Sequence, residues 1–208
     1  MQHYGMILVL SSPSGAGKST LGRMLRADKA MNLGLSVSVT TRLRRPSERE
    51  GVDYYFVSKD EFKHMVAANA FVEWAEVHGA YYGTLQKTID KVLRDGCDIV
   101  FDIDYQGAGQ IRKKRPRDVV SVFILPPSMQ ELQQRLLGRS ENSAADIELR
   151  LHNAVKEMRK WKSYDYILVN DDVQQSFLSL KAIITAERLK RHRLPAMKDF
   201  VDSLIAKA

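Results

Sequence analysis

The residues with the clearest chemical signal follow an apolar run near the start of the chain. Residues 7–10 read Ile-Leu-Val-Leu, and the loop that follows is Ser12-Pro13-Ser14-Gly15-Ala16-Gly17-Lys18-Ser19-Thr20. Small residues let backbone N–H groups turn inward around a polyphosphate, and the positive N-terminal end of the next helix attracts the same anion. The pattern predicts a phosphate-binding loop in which Lys18 reaches the outer phosphates and Ser19 holds Mg²⁺.

Ser12 is the one departure from the strict form of this loop, because the motif has glycine at that position. A Cβ there requires an ordinary φ angle where the strand ends. We therefore expect the loop to form only if the backbone does not need a positive φ at Ser12. A chance turn of small residues is the alternative, but Leu21, Met24 and Leu25 follow at helical spacing and favour a strand, loop and helix unit.

A second group of residues could hold another phosphate. Thr40-Thr41-Arg42 is followed by Arg45, and the segments Asp53-Tyr54 and Tyr81-Tyr82-Gly83 come later. Guanidinium forks and tyrosine hydroxyls are suited to gripping a phosphate that is not attached to the first nucleotide. The chain therefore contains candidates for two separate anion sites.

Composition and charge limit the class of protein. With 208 residues and 44% hydrophobic content, and without a Pro/Gly/Ser-rich linker, we expect one domain over residues 1–208. No apolar run is long enough to cross a bilayer and no targeting segment is recognisable, which leads us to expect a cytoplasmic protein without membrane contact. The single Cys97 excludes an internal disulfide, and no Cys/His set has metal-ligand spacing.

The net charge of +7 is compatible with either nucleic acid or small polyanions. Basic residues cluster at 42–49, 112–117 and 188–193. We expect the last two clusters to be solvated helix faces. No helix-turn-helix, zinc or RNA-binding signature accompanies them, so a nucleic-acid partner is not expected.

Hydrophobic periodicity predicts an α/β fold with a parallel central sheet flanked by helices. The predicted strands cover residues 6–11, 35–39, 71–77, 98–102, 119–125 and 166–169. The predicted helices cover residues 18–28, 59–69, 84–95, 129–138, 146–161 and 173–192, with a short amphipathic helix after Pro195. Capping boxes at Ser58–Glu61 and Ser128–Glu131 mark two of the helix starts.

The motifs together resemble those of the guanylate kinases, from about residue 5 to about residue 190. The matching segments are the loop, residues 40–45 and 53–54, Phe71-Val72-Glu73-Trp74, Tyr81-Tyr82-Gly83, Asp102-Ile103-Asp104 with Gln106-Gly107, Arg135 with Gly138-Arg139, Arg150-Leu151 and Val169-Asn170-Asp171. The resemblance implies Mg²⁺-dependent transfer of the ATP γ-phosphate to GMP, and also to dGMP. It implies a P-loop nucleoside-monophosphate-kinase fold with a core (1–37, 96–128, 160–208), a small mobile GMP-binding region (38–95) and a lid (about 129–159).

The same resemblance assigns roles to individual residues. It places the GMP phosphate on Ser38, Arg42, Arg45, Tyr54 and Tyr82, and the guanine on Glu73, Thr84 and Asp104. It places ATP on residues 12–20 and Asn170, with Lys18, Arg42 and the lid arginines Arg135, Arg139 and Arg150 as catalytic groups. Asp102, at the end of an apolar strand, would hold Mg²⁺ through water, although a helix cap or a structural ion pair is the alternative.

Guanine recognition by these residue types has a physical basis. The Watson–Crick edge of guanine offers the N1–H and 2-amino donors beside the O6 acceptor, so carboxylates accept the donors while a hydroxyl serves O6. Two other functions compete with this one. A noncatalytic domain of the same shape that binds phosphorylated peptides would lack a working loop, and a kinase for a phosphorylated sugar would not need Glu73 and Asp104. A homo-oligomer is compatible with all three.

Overall fold

The computed structural model describes residues 3–34, 37–77, 79–138 and 144–207. In these ranges the strands are β1 (Ile7–Ser11), β2 (Leu33–Gly34), β3 (Ser38–Thr40), β4 (Tyr54–Phe56), β5 (Phe71–Val77), β6 (Ala80–Leu85), β7 (Asp98–Asp102), β8 (Val119–Leu125) and β9 (Tyr166–Val169). The α-helices are α1 (Lys18–Ala27), α2 (Lys59–Ala67), α3 (Gln86–Arg94), α4 (Tyr105–Lys114), α5 (Met129–Leu137), α6 (Ala144–Met158), α7 (Val173–Arg188) and α8 (Met197–Ile205).

The central sheet has the strand order β2-β7-β1-β8-β9, and every pair in it is parallel. All of β1 is buried, because it pairs with β7 on one side and β8 on the other. Parallel strands all end at the same edge of a sheet. Ser11, Asp102 and Val169, the last residues of β1, β7 and β9, therefore lie along one edge, where the phosphate loop and Asn170 follow.

Helices cover both faces of this sheet, as the periodicity predicts. Leu8 and Leu10 of β1 pack with α1 and α7 on one face. Ile7 and Val9 pack on the other face with apolar residues of α3 and α4. A smaller cluster joins α5 to α6 beside the loop. This alternation along a fully buried strand keeps the loop that leaves β1 on a rigid support.

A second sheet, with strand order β4-β3-β6-β5, carries most of the remaining motifs. Here β3 is parallel to β4 and antiparallel to β6, and β5 and β6 form an antiparallel hairpin. Phe62 of α2 stacks on Phe71 of β5 with ring centroids 4.5 Å apart, which closes a small core under this sheet. The three-residue strand β4 carries Tyr54 and is not marked by the periodicity.

The structure corrects several predicted boundaries. Thr84 and Leu85 belong to β6, so the helix predicted from residue 84 begins at Gln86. The strand predicted over 35–39 begins at Ser38, while residues 35 and 36 lie outside the described ranges. The helix predicted over 173–192 ends at Arg188. Thr84 and Leu85 pair with β5, and this pairing outweighs their local helical preference. The other two differences are shifts in where an element begins or ends.

The basic clusters are less solvated than predicted. Arg188 forms an ion pair with the buried Asp98 at 2.7 Å, and Arg193 is only 1% exposed and donates to the carbonyl of Gly5 at 3.1 Å. Arg115 pairs with Asp90 at 2.6 Å. These side chains attach helices and the C-terminal segment to the core. No helix in the described ranges is long and apolar enough to cross a membrane.

Candidate active site

The phosphate loop has the backbone that its sequence requires. Gly15 and Gly17 take φ angles of 92° and 100°, in the left-handed region that favours glycine. In the described ranges only Asn32 and Asn69 combine a positive φ with a side chain, so Ser12 keeps an ordinary φ. The condition set for Ser12 is met, because the loop does not need glycine there.

The side chain of Asn170 is hydrogen-bonded to the backbone of the phosphate loop. This residue follows β9, is 4% exposed, and donates from Nδ2 to the carbonyl of Ala16 at 2.8 Å. Its own N–H bonds the carbonyl of Leu125 at 2.8 Å, which fixes it to the sheet edge. A Cβ at Gly17 would lie 2.1 Å from Asn170 Nδ2. Glycine is therefore required at position 17 for two reasons: its φ is positive, and the side chain of Asn170 lies too close to leave room for a Cβ.

Gly17→Ala is expected to destabilise the protein and to weaken ATP binding, because the methyl group meets Asn170 as well as an unfavourable φ. The φ cost alone is of order 1–3 kcal/mol. Gly79→Ala is the matched control, since Gly79 has a φ of 77° and, chain neighbours aside, a Cβ added there would have no atom of the described residues within 4 Å. Thermal unfolding should show a larger loss for Gly17→Ala, and equal losses in the two variants would contradict the role given to Asn170.

Lys18 and Asp102 meet at the mouth of the loop, where Lys18 Nζ forms an ion pair with Asp102 Oδ1. A cavity of about 270 Å³ opens above the loop and is also lined by Asp104 and by Glu157 of α6. The oxygen donors here, the Asp102 carboxylate and the Ser19 hydroxyl, suit Mg²⁺, which prefers oxygen ligands and keeps several waters. In the described ranges no group of three or more His, Cys, Asp or Glu could hold a metal ion.

The arginines predicted to lie over the phosphates are only partly brought to the loop. Arg135 of α5 bonds Glu131 at 2.9 Å and the carbonyl of Asn170 at 3.1 Å, and it lines a second cavity beside Gly15 and Gly17. Arg150 lies half-buried on α6 and forms no ion pair within the part of the chain that the structure describes. Arg139 lies outside the described residues.

The second phosphate clamp is assembled on β3, β4 and β6. The guanidinium of Arg42 lies 5.5 Å from the centre of the Tyr54 ring, and the ring of Tyr82 lies 6.1 Å from that of Tyr54. Glu48 binds Arg42 with both oxygens, at 2.7 and 3.1 Å, and accepts the N–H of Arg45 at 2.8 Å. The hydrogen bond from Arg42 lowers the pKa of Glu48. The structure therefore brings Arg42, Tyr54 and Tyr82 together, with the exposed Arg45 beside them.

The base-reading candidates Glu73 and Thr84 lie opposite each other on β5 and β6. Thr84 Oγ1 donates to Glu73 Oε1 at 2.8 Å. Both residues, with Ser38 and Asp102, line a cavity of about 270 Å³ between the two sheets. Burial raises the pKa of Glu73, and the nearby Asp104 carboxylate raises it further, whereas the hydrogen bond from Thr84 opposes this rise.

Helix α4 fixes the position of this strand. Gln110 bonds both the N–H and the carbonyl of Trp74, at 3.0 and 2.9 Å, and Lys114 donates to the carbonyl of Phe71 at 2.6 Å. Asp104 caps the same helix by accepting the N–H groups of Gln106 and Gly107. Glu73 is thus held between two anchored backbone positions, while Asp104 lies on the phosphate-loop side of the site.

The chain is similar to known proteins over nearly its whole length. A family model described as guanylate kinase matches residues 4–187. The chain belongs to the guanylate kinase family. Guanylate kinases of Brucella melitensis and Bartonella henselae are 55% and 54% identical to it, over 97% and 99% of this chain and 91% of each relative. A solved guanylate kinase from Anaplasma phagocytophilum is 36% identical, with a TM-score of 0.69 over 96% of this chain and 95% of that one.

Membership of the guanylate kinase family makes the chain a nucleoside monophosphate kinase, an ATP-dependent phosphotransferase acting on GMP. The structure also shows residues at the site that sequence reasoning missed. Glu48 is a lone carboxylate among arginines at 42, 44, 45 and 49, a spacing that could have indicated its pairing. Nothing in the sequence indicated Glu157 or Gln110, because the residues that lie near them are distant in the chain.

Proposed function

We propose that this guanylate kinase binds ATP at the phosphate loop and GMP, or dGMP, in the cavity between the two sheets, with Mg²⁺ as cofactor. Asp102 carries this proposal, because it joins the two halves of the site. Its carboxylate pairs with Lys18 of the loop and also lines the cavity of Ser38, Glu73 and Thr84. ATP, the phosphoryl donor in the loop cavity, and GMP, the acceptor in the other cavity, would therefore meet beside this carboxylate.

The guanine roles follow from the contacts of β5 and β6. The Glu73 carboxylate accepts from the N1–H and 2-amino groups of guanine, and the Thr84 hydroxyl lies beside it to serve O6. Without nucleotide Thr84 donates its one hydroxyl proton to Glu73 at 2.8 Å, so the hydroxyl must rotate toward O6 when guanine binds. Adenine would present a lone pair to the carboxylate. The hydrogen bond that is then not made should favour GMP over AMP by a factor of about 10⁴ or more.

The GMP phosphate belongs in the clamp of Arg42, Arg45, Tyr54 and Tyr82, with Ser38 on the adjoining strand. Glu48 gives Arg42 a fixed direction through its two-oxygen contact, at 2.7 and 3.1 Å. A guanidinium whose orientation is already fixed loses less entropy when it binds a phosphate. The Tyr54 and Phe56 rings, whose centres lie 5.5 and 6.0 Å from the guanidinium, add to this preorganisation.

Transfer between two anions requires positive charge at the point where they meet. At about 4 Å each pair of unit charges repels by about 4 kcal/mol at an effective dielectric near 20. Lys18 and the arginines offset this repulsion, and no covalent intermediate on the protein is needed. Asp102 and Ser19 would hold Mg²⁺, which when bound neutralises phosphate charge and orients the transferred group.

The segment of α5 and α6 supplies the remaining arginines in this proposal. Arg135 already contacts the Asn170 carbonyl beside the loop, at 3.1 Å. Arg150 on α6 and Arg139, outside the described residues, would join it over the phosphates when the lid closes. Closure excludes water, which otherwise would accept the phosphoryl group.

One coupled assay tests the proposal. ADP formation is followed with ATP and each of GMP, dGMP, AMP and a sugar phosphate as acceptor. We expect turnover with GMP and dGMP, and a preference over AMP of about 10⁴ or more in kcat/KM. Comparable turnover with AMP, or turnover only with the sugar phosphate, would overturn the assignment of the acceptor.

A further inference from the structure

Arg26, in the last turn of α1, is a cation beside the cavity between the two sheets. It lines this cavity together with Glu73 and Thr84 of the second sheet and Asp102 of the central sheet. Within the described residues Arg26 forms neither a hydrogen bond nor an ion pair. A basic residue in the last turn of a helix often only complements the helix dipole. The place of its guanidinium in the cavity wall indicates a further role.

The side chain of Arg26 lies back along α1 toward the phosphate-loop end of the helix. Its Nη1 and Nη2 atoms are 3.5 and 3.6 Å from the position that a Cβ on Gly22, one turn earlier, would occupy. Long side chains on a helix lean toward its N-terminus and cover the residue four positions before them. Because Gly22 has no side chain, the guanidinium can lie close against the helix. It is thereby held beside the space that the proposed function gives to GMP.

The residues that line this cavity indicate which part of GMP the guanidinium meets. Glu73 and Thr84, the residues proposed to bind the base, belong to the lining. Arg42, Tyr54 and Tyr82, which form the phosphate clamp, do not. The cavity therefore corresponds to the guanine and not to the phosphate of GMP, and Arg26 lies beside the base.

The hydrogen-bonding groups of guanine leave one acceptor for such a side chain. Glu73 accepts from the N1–H and 2-amino donors, and the Thr84 hydroxyl serves O6, which leaves N7 without a donor. Among the described residues that line the cavity, the side-chain donors are those of Arg26, Ser38 and Thr84, and Ser38 is proposed to lie at the phosphate. An arginine fork fits O6 and N7 together, and this pair is the commonest specific contact of proteins with guanine.

We propose that Arg26 donates to N7 and O6 of GMP and is a specificity-determining residue for the acceptor nucleotide. This inference rests on the proposed function, in which the cavity between the sheets binds GMP. Adenine also has N7, but it carries an amino group in place of O6, so one arm of the fork would meet a donor. Arg26 thus distinguishes guanine from adenine on a different edge of the base from Glu73.

Arg26→Met tests this contact, because methionine keeps an unbranched stem and a high helix propensity but has no donor and no charge. GMP and 7-deaza-GMP, in which a carbon replaces N7, are titrated by calorimetry against both proteins. We expect the wild type to bind GMP about tenfold more tightly than 7-deaza-GMP, and Arg26→Met to bind GMP about 10-fold to 100-fold more weakly than the wild type. The variant should bind the two nucleotides equally.

Arg23→Met is the matched control, because Arg23 is an exposed arginine on the same helix and does not line the cavity. It removes an equal charge and should leave both affinities at the wild-type values. Equal losses of GMP affinity in the two variants would overturn the proposal in favour of a general charge effect. A preference for GMP over 7-deaza-GMP that persists in Arg26→Met would also overturn it, because another group would then contact N7.

The wild type alone provides a test that does not depend on the folding of a variant. Equal affinity of the wild type for GMP and 7-deaza-GMP would show that no group donates to N7, which also overturns the proposal. Wild-type turnover of ATP with GMP is measured in parallel. If turnover is present and the affinities do not differ as stated, the inference about Arg26 is wrong and the proposed function stands. Absence of turnover would instead count against the proposed function.

Discussion

Lys18→Ala is expected to abolish phosphoryl transfer while GMP binding largely persists. Lys18 is the positive charge that the loop contributes to the point where two anions meet, and removal of one such preorganised group lowers kcat by about 10³ or more. The loss is increased by Asp102, which keeps its negative charge but loses its partner at the same point. The GMP contacts lie on the second sheet, so they do not depend on this lysine.

Stopped assays with ATP and GMP measure the loss, and calorimetry measures GMP affinity. Lys29→Ala is the matched control, because Lys29 is an exposed lysine just after α1 and outside both cavities. It should turn over like the wild type. Normal turnover of Lys18→Ala would remove the loop from the mechanism, and an equal loss of GMP affinity would show that the two sites are not separate.

Local sequence information was sufficient for four of the strands. The predicted boundaries of β5, β7, β8 and β9 agree with the structure, because each run is rich in β-branched, aromatic or other apolar residues. Asp102 could therefore be placed at a strand end from the sequence. A structural ion pair was one alternative for this carboxylate, and the contact with Lys18 puts that ion pair inside the candidate site.

Contacts between residues that are distant in sequence determine the features that the local pattern does not predict. Thr84 reads as the start of a helix, yet it lies in β6 opposite Glu73, and the hydrogen bond between them depends on this register. The tail shows the same limit, since Arg188 and Arg193 look like a solvated basic run but meet Asp98 and the Gly5 carbonyl. In both cases the partner is distant in sequence, where periodicity carries no information.

The candidate site was predictable where residue type alone restricts the chemistry. Arginine forks and tyrosines at 42, 54 and 82 suit a phosphate, and the structure brings them together. Carboxylates are more ambiguous, because the same side chain can be solvated, paired or functional. The positions of Glu48 and Glu157 are known only from the structure, in which Glu48 pairs with Arg42 and Glu157 lines the cavity of the phosphate loop.

Glu73→Gln is expected to reduce kcat/KM for GMP by about 10² to 10⁴ while ATP affinity stays unchanged. The variant keeps the shape of the side chain but turns an amide N–H₂ toward the donors of guanine, so at least one buried donor is left unpaired. Glu76→Gln is the matched control, because Glu76 is an exposed carboxylate on the same strand. Equal losses for GMP and ATP would contradict a role in reading the base.

The pH dependence of GMP binding provides an independent check on the same carboxylate. GMP binding requires the ionised form of Glu73, because a protonated carboxyl cannot accept hydrogen bonds from both guanine donors. Burial raises the pKa of Glu73 above its ordinary value of 4.5, so GMP affinity should fall with decreasing pH and begin to fall at a higher pH than an ordinary glutamate would cause. This component of the pH profile should be absent in Glu73→Gln. If the variant keeps the wild-type profile, another group titrates and Glu73 does not contact the base.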